Sequence, residues 1–361
     1  MKKSIILVMA LVLSLTLFTG CNISGKKDTG DKQPDKAEKL VYLVQTAPPT
    51  MLEQLKAKEI DGFIAWEPFN SVAVNAGDGE YLFKSPDIWD DHPCCVLAVS
   101  ENFTDSGAVE VFTWAHVKAV RFINDPANQE KVIQYAAEFT GKERPVVEQA
   151  LANITYVEFP ARDRFEEYYN SLVEGKLLKN SVSDIGYEDS EKFFTGFLRE
   201  SVYKKVAGEL DKNPDWMPAP ITGDIKVRIG YLNADLHQLA LYVAEKEGYY
   251  GKAGLENGRN YETKVYQNGV AVMEAFKAKD VDIAYLGGAP ATLKRINDNI
   301  NIEVVAGANN EGSGLVVRTD LGIDSVADLE GKTIAVPGIG TVQYTLLDKA
   351  LREQGLRPVV K

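Results

Sequence analysis

From Lys226 to Ala308 the apolar positions switch repeatedly between a period of two and a period near 3.6. Lys226 to Leu232 alternates like a strand, and Leu239 to Gly251 places Leu239, Ala240, Val243 and Ala244 on one helical face. Tyr261 to Tyr266 reads as a second strand, Val270 to Ala278 as a second helix, and Val281 to Leu286 as a third strand. Gly287-Gly288-Ala289-Pro290 then opens a third helix, and Ile302 to Ala306 is another strand. Strands alternating with helices at this spacing predict a mostly parallel sheet. Ligands of such sheets sit outside the carboxyl ends of the strands, where the next helix begins. Gly287 and Gly288 admit a ligand close to backbone N–H groups, and a helix start favours negative charge. The same residues also suit a tight strand-to-helix turn with no ligand.

The preceding segment starts with a strand, Leu40 to Val44, and a helix, Thr50 to Lys58. A strand at Asp61 to Ala65 runs into Trp66-Glu67-Pro68-Phe69, with the proline suited to a first helical turn. Tyr81 to Lys84 is a short strand, Asp87 to His92 a polar, aromatic loop, and Pro93 to Ser100 a strongly apolar strand. Helical signals then dominate: Val109 to Ile123, Pro126 to Thr140, Glu143 to Asn153, Arg162 to Glu174 and Asp189 to Val206. Asp211 to Asp224 is a proline-rich connector without periodicity. Beyond the alternating run, Gly314 to Arg318 and Lys332 to Val336 are strands, Ser325 to Leu329 a short helix, and Val342 to Gln354 a longer one. A strand is expected after that helix, where the sequence stops at Lys361.

Composition narrows the class. The 361 residues are 45% hydrophobic and 25% charged, ordinary for one or two globular domains. A net charge of −12 without a basic block argues against a nucleic-acid partner. Lys2 and Lys3 precede an apolar run from Ile5 to Phe18, the length of a signal segment and short for a membrane span. The run ends Leu17-Phe18-Thr19-Gly20-Cys21, which resembles the lipobox of secreted lipoproteins, although Phe18 stands where an aliphatic residue is usual. This implies residues 1–21 as a signal peptide, lipidation of Cys21, export, and anchoring to the outer face of the cell membrane. An ordinary signal peptide is the alternative. Residues 22–39 are polar and read as a flexible tether.

Two stretches carry a family resemblance. Asn268-Gly269, Glu274-Ala275-Phe276, Asp282-Ile283-Ala284 and Gly287-Gly288-Ala289-Pro290 resemble the first lobe of substrate-binding proteins of ABC importers, in the nitrate, sulfonate and taurine group. Asp328-Leu-Glu-Gly331-Lys332, Ala335-Val-Pro-Gly338 and Gly340-Thr341 resemble the start of the second lobe. The segment from Met51 through Asp61-Gly62-Phe63 to Trp66-Glu67-Pro68 resembles the rest of it. The resemblance implies an α/β, two-lobed periplasmic-binding-protein type II fold, with mostly parallel sheets and flanking helices. The order of segments is rotated relative to the family, which suggests a circular permutation; a fragment of a tandem protein is the rival. The expected division is 40–99 plus 319–361 for lobe II and 100–210 plus 225–318 for lobe I, with 211–224 joining what are elsewhere the two termini.

The family's ligand lies between the lobes, so the matching positions are Asn233, His237, Gly287, Gly288 and Ala289 on one side. Gly338, Gly340, Thr341, Gln343, Trp66 and Glu67 face them from the other. Thr341 offers a hydroxyl donor or a helix cap; Trp66 offers an apolar wall, a cation-binding face or plain core. His237 caps, packs or touches ligand. Glu67 suits an amine or a helix start better than an anion. Adjacent Cys94 and Cys95 on a strand are expected to point to opposite faces, which leaves one metal out of joint reach and makes them buried strand cysteines. A vicinal disulfide is the alternative. No metal, no cofactor and no nucleophile–base pair is read. The expected function is a monomeric solute receptor that delivers a small anion or zwitterion to an ABC permease. The alternatives are an enzyme like the thiamine-pyrimidine synthases on the same fold and a sensory module.

Overall fold

A computed structural model describes residues 38–103, 106–222 and 225–361. The signal-like segment, Cys21 and the tether up to residue 37 lie outside the described residues. Glu38 to Lys361 forms one compact unit. Its twelve strands in chain order are β1 (Leu40–Gln45), β2 (Gly62–Trp66), β3 (Glu80–Lys84), β4 (Pro93–Ser100), β5 (Ile154–Tyr156) and β6 (Val227–Leu232). They continue with β7 (Tyr261–Tyr266), β8 (Ile283–Gly287), β9 (Ile302–Glu311), β10 (Ser313–Val317), β11 (Thr333–Val336) and β12 (Arg357–Val360).

The strands form two mixed six-stranded sheets, ordered β12-β1-β11-β2-β10-β3 and β5-β9-β4-β8-β6-β7. Each has a parallel part, β12, β1, β11 and β2 in the first and β7, β6 and β8 in the second. Each also has an antiparallel part, around β10 in the first and around β4 and β9 in the second. With the flanking helices this is an α/β architecture of the periplasmic-binding-protein type II kind. The central strands β2 and β8 are buried along their whole lengths, so they read as near-continuous apolar runs. No helix among the described residues is long and apolar enough to cross a membrane.

Two features depart from the sequence reading and one expected strand is found. β4 belongs to the second sheet and β10 to the first, so the sheets exchange partners near residues 85–92 and at Gly312, not at 99 and 319. Both strands are uniformly apolar, and an apolar run carries no sign of which sheet it joins. The strand expected after the helix Val342–Glu353 is present as β12, which pairs with β1 at the sheet edge. The segment Asp189 to Val206 is two helices, Ser190–Phe197 and Glu200–Lys212. The break falls at Leu198, which leaves helical geometry to bridge Val304 of β9.

The second sheet is backed by an aromatic cluster of Phe165, Phe193, Phe194 and Phe197, all fully buried. The rings of Phe193 and Phe197 stack at 5.1 Å, and Phe165 meets Phe197 edge-on at 6.0 Å. This cluster seats the helix Gly288–Asn297. A Cβ on Gly288 would stand 2.8 Å from Phe165 Cζ, so the glycine is what lets the helix start lie on the ring. Phe197→Ala is expected to lower the unfolding free energy by about 3–5 kcal/mol, the range for emptying an aromatic core site, as read from urea denaturation.

Candidate functional site

The carboxyl ends of β2, β6, β8 and β11 meet where the two sheets face each other. Trp66, His237, Gly287, Thr341 and Gln343 line one cleft there, together with Cys94, Cys95 and Asp235. Its free volume is ≈ 10 Å³, the room for about one water. The lobes are shut over it. Asn268 Nδ2 donates to the Pro337 carbonyl at 2.9 Å across the cleft, and a Cβ on Gly287 would come 2.9 Å from Val342 Cγ2. A larger surface hollow of about 580 Å³, between Ile123, Gln129, Val132, Ile133, Glu148 and Tyr156, contains none of the expected site residues. The tyrosine hydroxyl there is spent on the Leu236 carbonyl at 2.7 Å. The small cleft is the better candidate because its buried polar groups converge and one of them has no partner.

That group is the Trp66 indole. The side chain is 3% exposed, and Nε1 finds no acceptor. An indole N–H is donor-only, and leaving it unmet in a buried site costs about 1–3 kcal/mol. Opposite it, two helices begin at the cleft. Thr341 caps the helix Val342–Glu353, its Oγ1 accepting from Tyr344 N at 3.3 Å and donating to the Gly338 carbonyl at 2.7 Å. Gln343 Nε2 donates to Ser313 Oγ at 2.9 Å. Gly340 has a left-handed φ of 82°, and a side chain there would overlap Leu293 on the facing lobe.

The remaining expected residues sit elsewhere. Asn233 is exposed beside Tyr231, Tyr242 and Glu138 in a separate hollow. Gly288 and Ala289 are buried in the helix start behind Gly287. Gly338 stands at the cleft margin, near Asn268 and Gln45. The Glu67 carboxylate turns away from the cleft. It accepts from Ser71 N at 3.1 Å, the Tyr81 hydroxyl at 2.6 Å and Asn153 Nδ2 at 2.7 Å, joining the first sheet to the start of β5.

Cys94 and Cys95 are buried in strand β4 as expected, but they do not point to opposite faces. Cys94 Sγ lies 3.3 Å and Cys95 Sγ 3.9 Å from the same atom, His237 Nδ1. Strict alternation would have sent them to opposite faces, but β4 slips register against β9 on both sides of Cys95. The bulge turns both sulfurs to one side, and neither is in a disulfide. The cluster also supplies the nucleophile–base pair that the sequence did not reveal. His237 Nε2 bonds the Gly312 carbonyl at 3.0 Å, while Asp235 Oδ1 approaches Nδ1 at 3.5 Å, the same nitrogen as Cys94. The carboxylate therefore does not sit behind the imidazole as in a catalytic triad. Cys94, Cys95 and His237 bring three donor atoms within 4.8 Å, one fewer than the four of a closed tetrahedral zinc site. The other two histidines differ: His116, held by Tyr285 and the Gly307 carbonyl, is kept neutral by burial, its pKa lowered to about 4. Burial likewise lowers His92.

Ionisation follows the geometry. Burial by itself lowers the His237 imidazolium, but the charges of Cys94 and Asp235 outweigh it and hold the group up at about 9. Burial by itself raises the Cys94 thiol, yet a hydrogen bond from Cys95 and the His237 charge bring it well below the ordinary range. Cys95 moves the opposite way, by its bond to Cys94 and by burial. Burial pushes the Asp235 carboxyl up to about 7, against the pull of His237.

Residues 28–137 match the family model described as NMT1-like, and residues 236–359 match the one described as NMT1/THI5 like. Along these two stretches, about a third of the chain each, it is similar to the NMT1/THI5-like family. Among curated relatives of this NMT1/THI5-like chain is a nitrate/nitrite binding protein of Nostoc sp., 21% identical over 50% of this chain and 42% of that protein. The taurine-binding periplasmic protein of Escherichia coli K12 is 31% identical over 32% of the chain and 35% of its own length. A nitrate import ATP-binding protein of Synechocystis sp. is 30% identical over 30% and 16%. The chain thus spans less than half the length of these relatives.

The cluster has a consequence for pH. Moving a proton from Cys94 to His237 leaves their joint proton count unchanged, so near neutrality the raised His237 and the lowered Cys94 offset each other. Asp235 has no such counterpart. Its folded pKa of about 7 stands above the ordinary 3.8, so its stabilisation is complete below that lower value and is lost as pH rises through about 7. Unfolding free energy measured in urea should therefore fall between these two pH values, and Asp235→Asn should flatten that fall.

Proposed function

We propose that the protein is a solute receptor for an ABC importer. It captures a small anion or zwitterion of the nitrate, sulfonate or taurine type between its lobes and passes it to a permease. The observation that carries this reading is the unpartnered, buried Trp66 N–H in a cleft onto which two helix starts open. Such a cleft offers N–H dipoles to negative charge. The names of the relatives, which bind nitrate, nitrite or taurine or serve nitrate import, support the same class. The lobes leave room for only about one water, so solute entry requires them to part and close again by a hinge motion at the two sheet crossings.

We read the Cys94–His237 pair as part of the cleft wall and not as catalytic machinery, because no second carboxylate among the described residues orients the imidazole and two of the relatives are named as binding proteins. We also read the chain order as a circular permutation. In support, β1 from the first matched stretch lies between β11 and β12 from the second. Lipidation of Cys21 would hold the exported protein at the membrane face as a monomer. Cys21→Ser should then shift the expressed protein from the membrane fraction to the soluble one.

The receptor reading is tested by thermal unfolding with nitrate, taurine, alkanesulfonates, bicarbonate and pyrimidines. A ligand present at ~100 times its dissociation constant adds about 2.7 kcal/mol to the folded state. An upward shift with nitrate, a sulfonate or taurine is expected; a cooperative transition that none of these moves would reject the substrate class. Trp66→Phe keeps the ring and removes the donor. Calorimetric titration should show affinity weakened by about tenfold or more.

A further inference from the structure

We propose that Cys94 and Cys95 form an oxidation site, a dithiol that closes to a vicinal disulfide by exchange with a disulfide oxidant and thereby dismantles the hydrogen-bonded cluster around His237. The proposal does not depend on which solute the cleft binds.

Three observations place the chemistry. The two sulfurs are on one side of β4 and within 4.8 Å of each other and of the imidazole. The strand is already bulged there. Its ladder to β9 slips on both sides of Cys95, whose backbone N–H is satisfied by the Asn309 side chain at 3.0 Å and not by a regular strand partner. On the β9 side the ladder is therefore irregular at Cys95, while its pairing with Gly287 of β8 stays in register; closing the disulfide needs a turn there that brings the sulfurs to about 2.05 Å. His237 Nδ1, 3.3 Å from Cys94, is placed to hold the proton that Cys94 gives up, which makes Cys94 the attacking sulfur and Cys95 the resolving one.

The exchange balances in two steps. The Cys94 thiolate attacks one sulfur of the oxidant RSSR, forms a mixed disulfide and expels RS⁻, which takes up a proton. The Cys95 thiol then loses its proton to solvent through the cluster and attacks the Cys94 sulfur. The second RS⁻ leaves and is protonated. The sum is two protein thiols plus RSSR giving one Cys94–Cys95 disulfide plus two RSH. Access is the control: the side chains are 1% and 4% exposed and line the shut cleft. The oxidant reaches them when the lobes part, and whatever holds the lobes together protects them. Once the disulfide forms, His237 loses the thiolate that stabilises its charge, and the contacts of Cys95 with Asp235 and Gln238 at 4.0 and 3.9 Å go with it.

The test exposes the reduced full chain to oxidised glutathione near neutral pH, then denatures it in N-ethylmaleimide. Peptide mapping separates the Cys94–Cys95 peptide from Cys21. The expected product is that peptide lighter by two hydrogens, unlabelled, and restored by dithiothreitol. Its parent protein should melt at a lower temperature than the reduced form. Cys95→Ser should stop at a glutathione adduct on Cys94, and Cys94→Ser should react about tenfold more slowly or less. A wild-type peptide that keeps both thiols, or that accumulates the glutathione adduct without closing, overturns the proposal. Formation of the disulfide with no change in melting temperature would overturn its effect on the cluster.

Discussion

The site and the junction between the sheets hang on one peptide unit, Gly312. It carries the chain from β9 into β10, out of one sheet and into the other, at a left-handed φ of 79°. Its carbonyl accepts from Glu67 N in the first lobe and from His237 Nε2 in the second, both at 3.0 Å. A side chain at this position would overlap the imidazole. Only glycine satisfies both demands, the unusual backbone angle and the missing Cβ. Because Nε2 is committed to this carbonyl, Nδ1 is the nitrogen left to face Cys94 and Asp235. The crossing of the chain between sheets therefore sets which proton sits where in the cleft.

Polar contacts that join the two sides of the cleft include Asn268 with Pro337, Glu67 with Asn153, and the Leu236 N–H with the Glu67 carbonyl at 3.1 Å, beside apolar packing of Gly287 on Val342 and Gly340 on Leu293. Such hydrogen bonds contribute about 0.5–1.5 kcal/mol each after exchange with water. The shut cleft gives the Trp66 N–H no protein acceptor. An acceptor atom on a bound solute would satisfy it, so this donor favours closure around a hydrogen-bonding ligand.

Much of the fold was legible because many strands and helices have clear periodicity and are bounded by turns. β4, β7 and the helix Arg162–Glu174 have the limits that their patterns predict. The candidate cleft gathers the expected residues that follow the rule for parallel strands: Trp66, His237, Gly287, Thr341 and Gln343. Cys94 and Cys95 were not expected there, because β4 runs antiparallel and brings its amino end beside the carboxyl end of β8, with Cys95 opposite Gly287. A rule about carboxyl ends cannot see such a strand. The bulge that defeats alternation is equally silent, since it depends on how β4 meets β9, two segments some 200 residues apart in sequence. Glu67 failed for a similar reason: its partners Tyr81 and Asn153 are brought to it by tertiary contact alone.

The electrostatics of the cleft constrain how an anion would be held. No lysine or arginine is among its described lining residues, and its one cationic group, His237, is paired with the Cys94 thiolate. Attraction by net charge is then nearly absent, and affinity has to come from directed N–H groups: the indole of Trp66 and the first turns of two helices. Dipoles fixed in a water-excluded site discriminate by shape and distance, whereas a free cation would attract most anions alike. An anion close to His237 would also favour the protonated Cys94 thiol over the thiolate, since two negative charges beside one imidazolium repel. On the two proposals made above, anion binding and the reactivity of Cys94 would oppose each other through a single imidazole, and a bound anion would protect the dithiol chemically as well as by keeping the lobes shut.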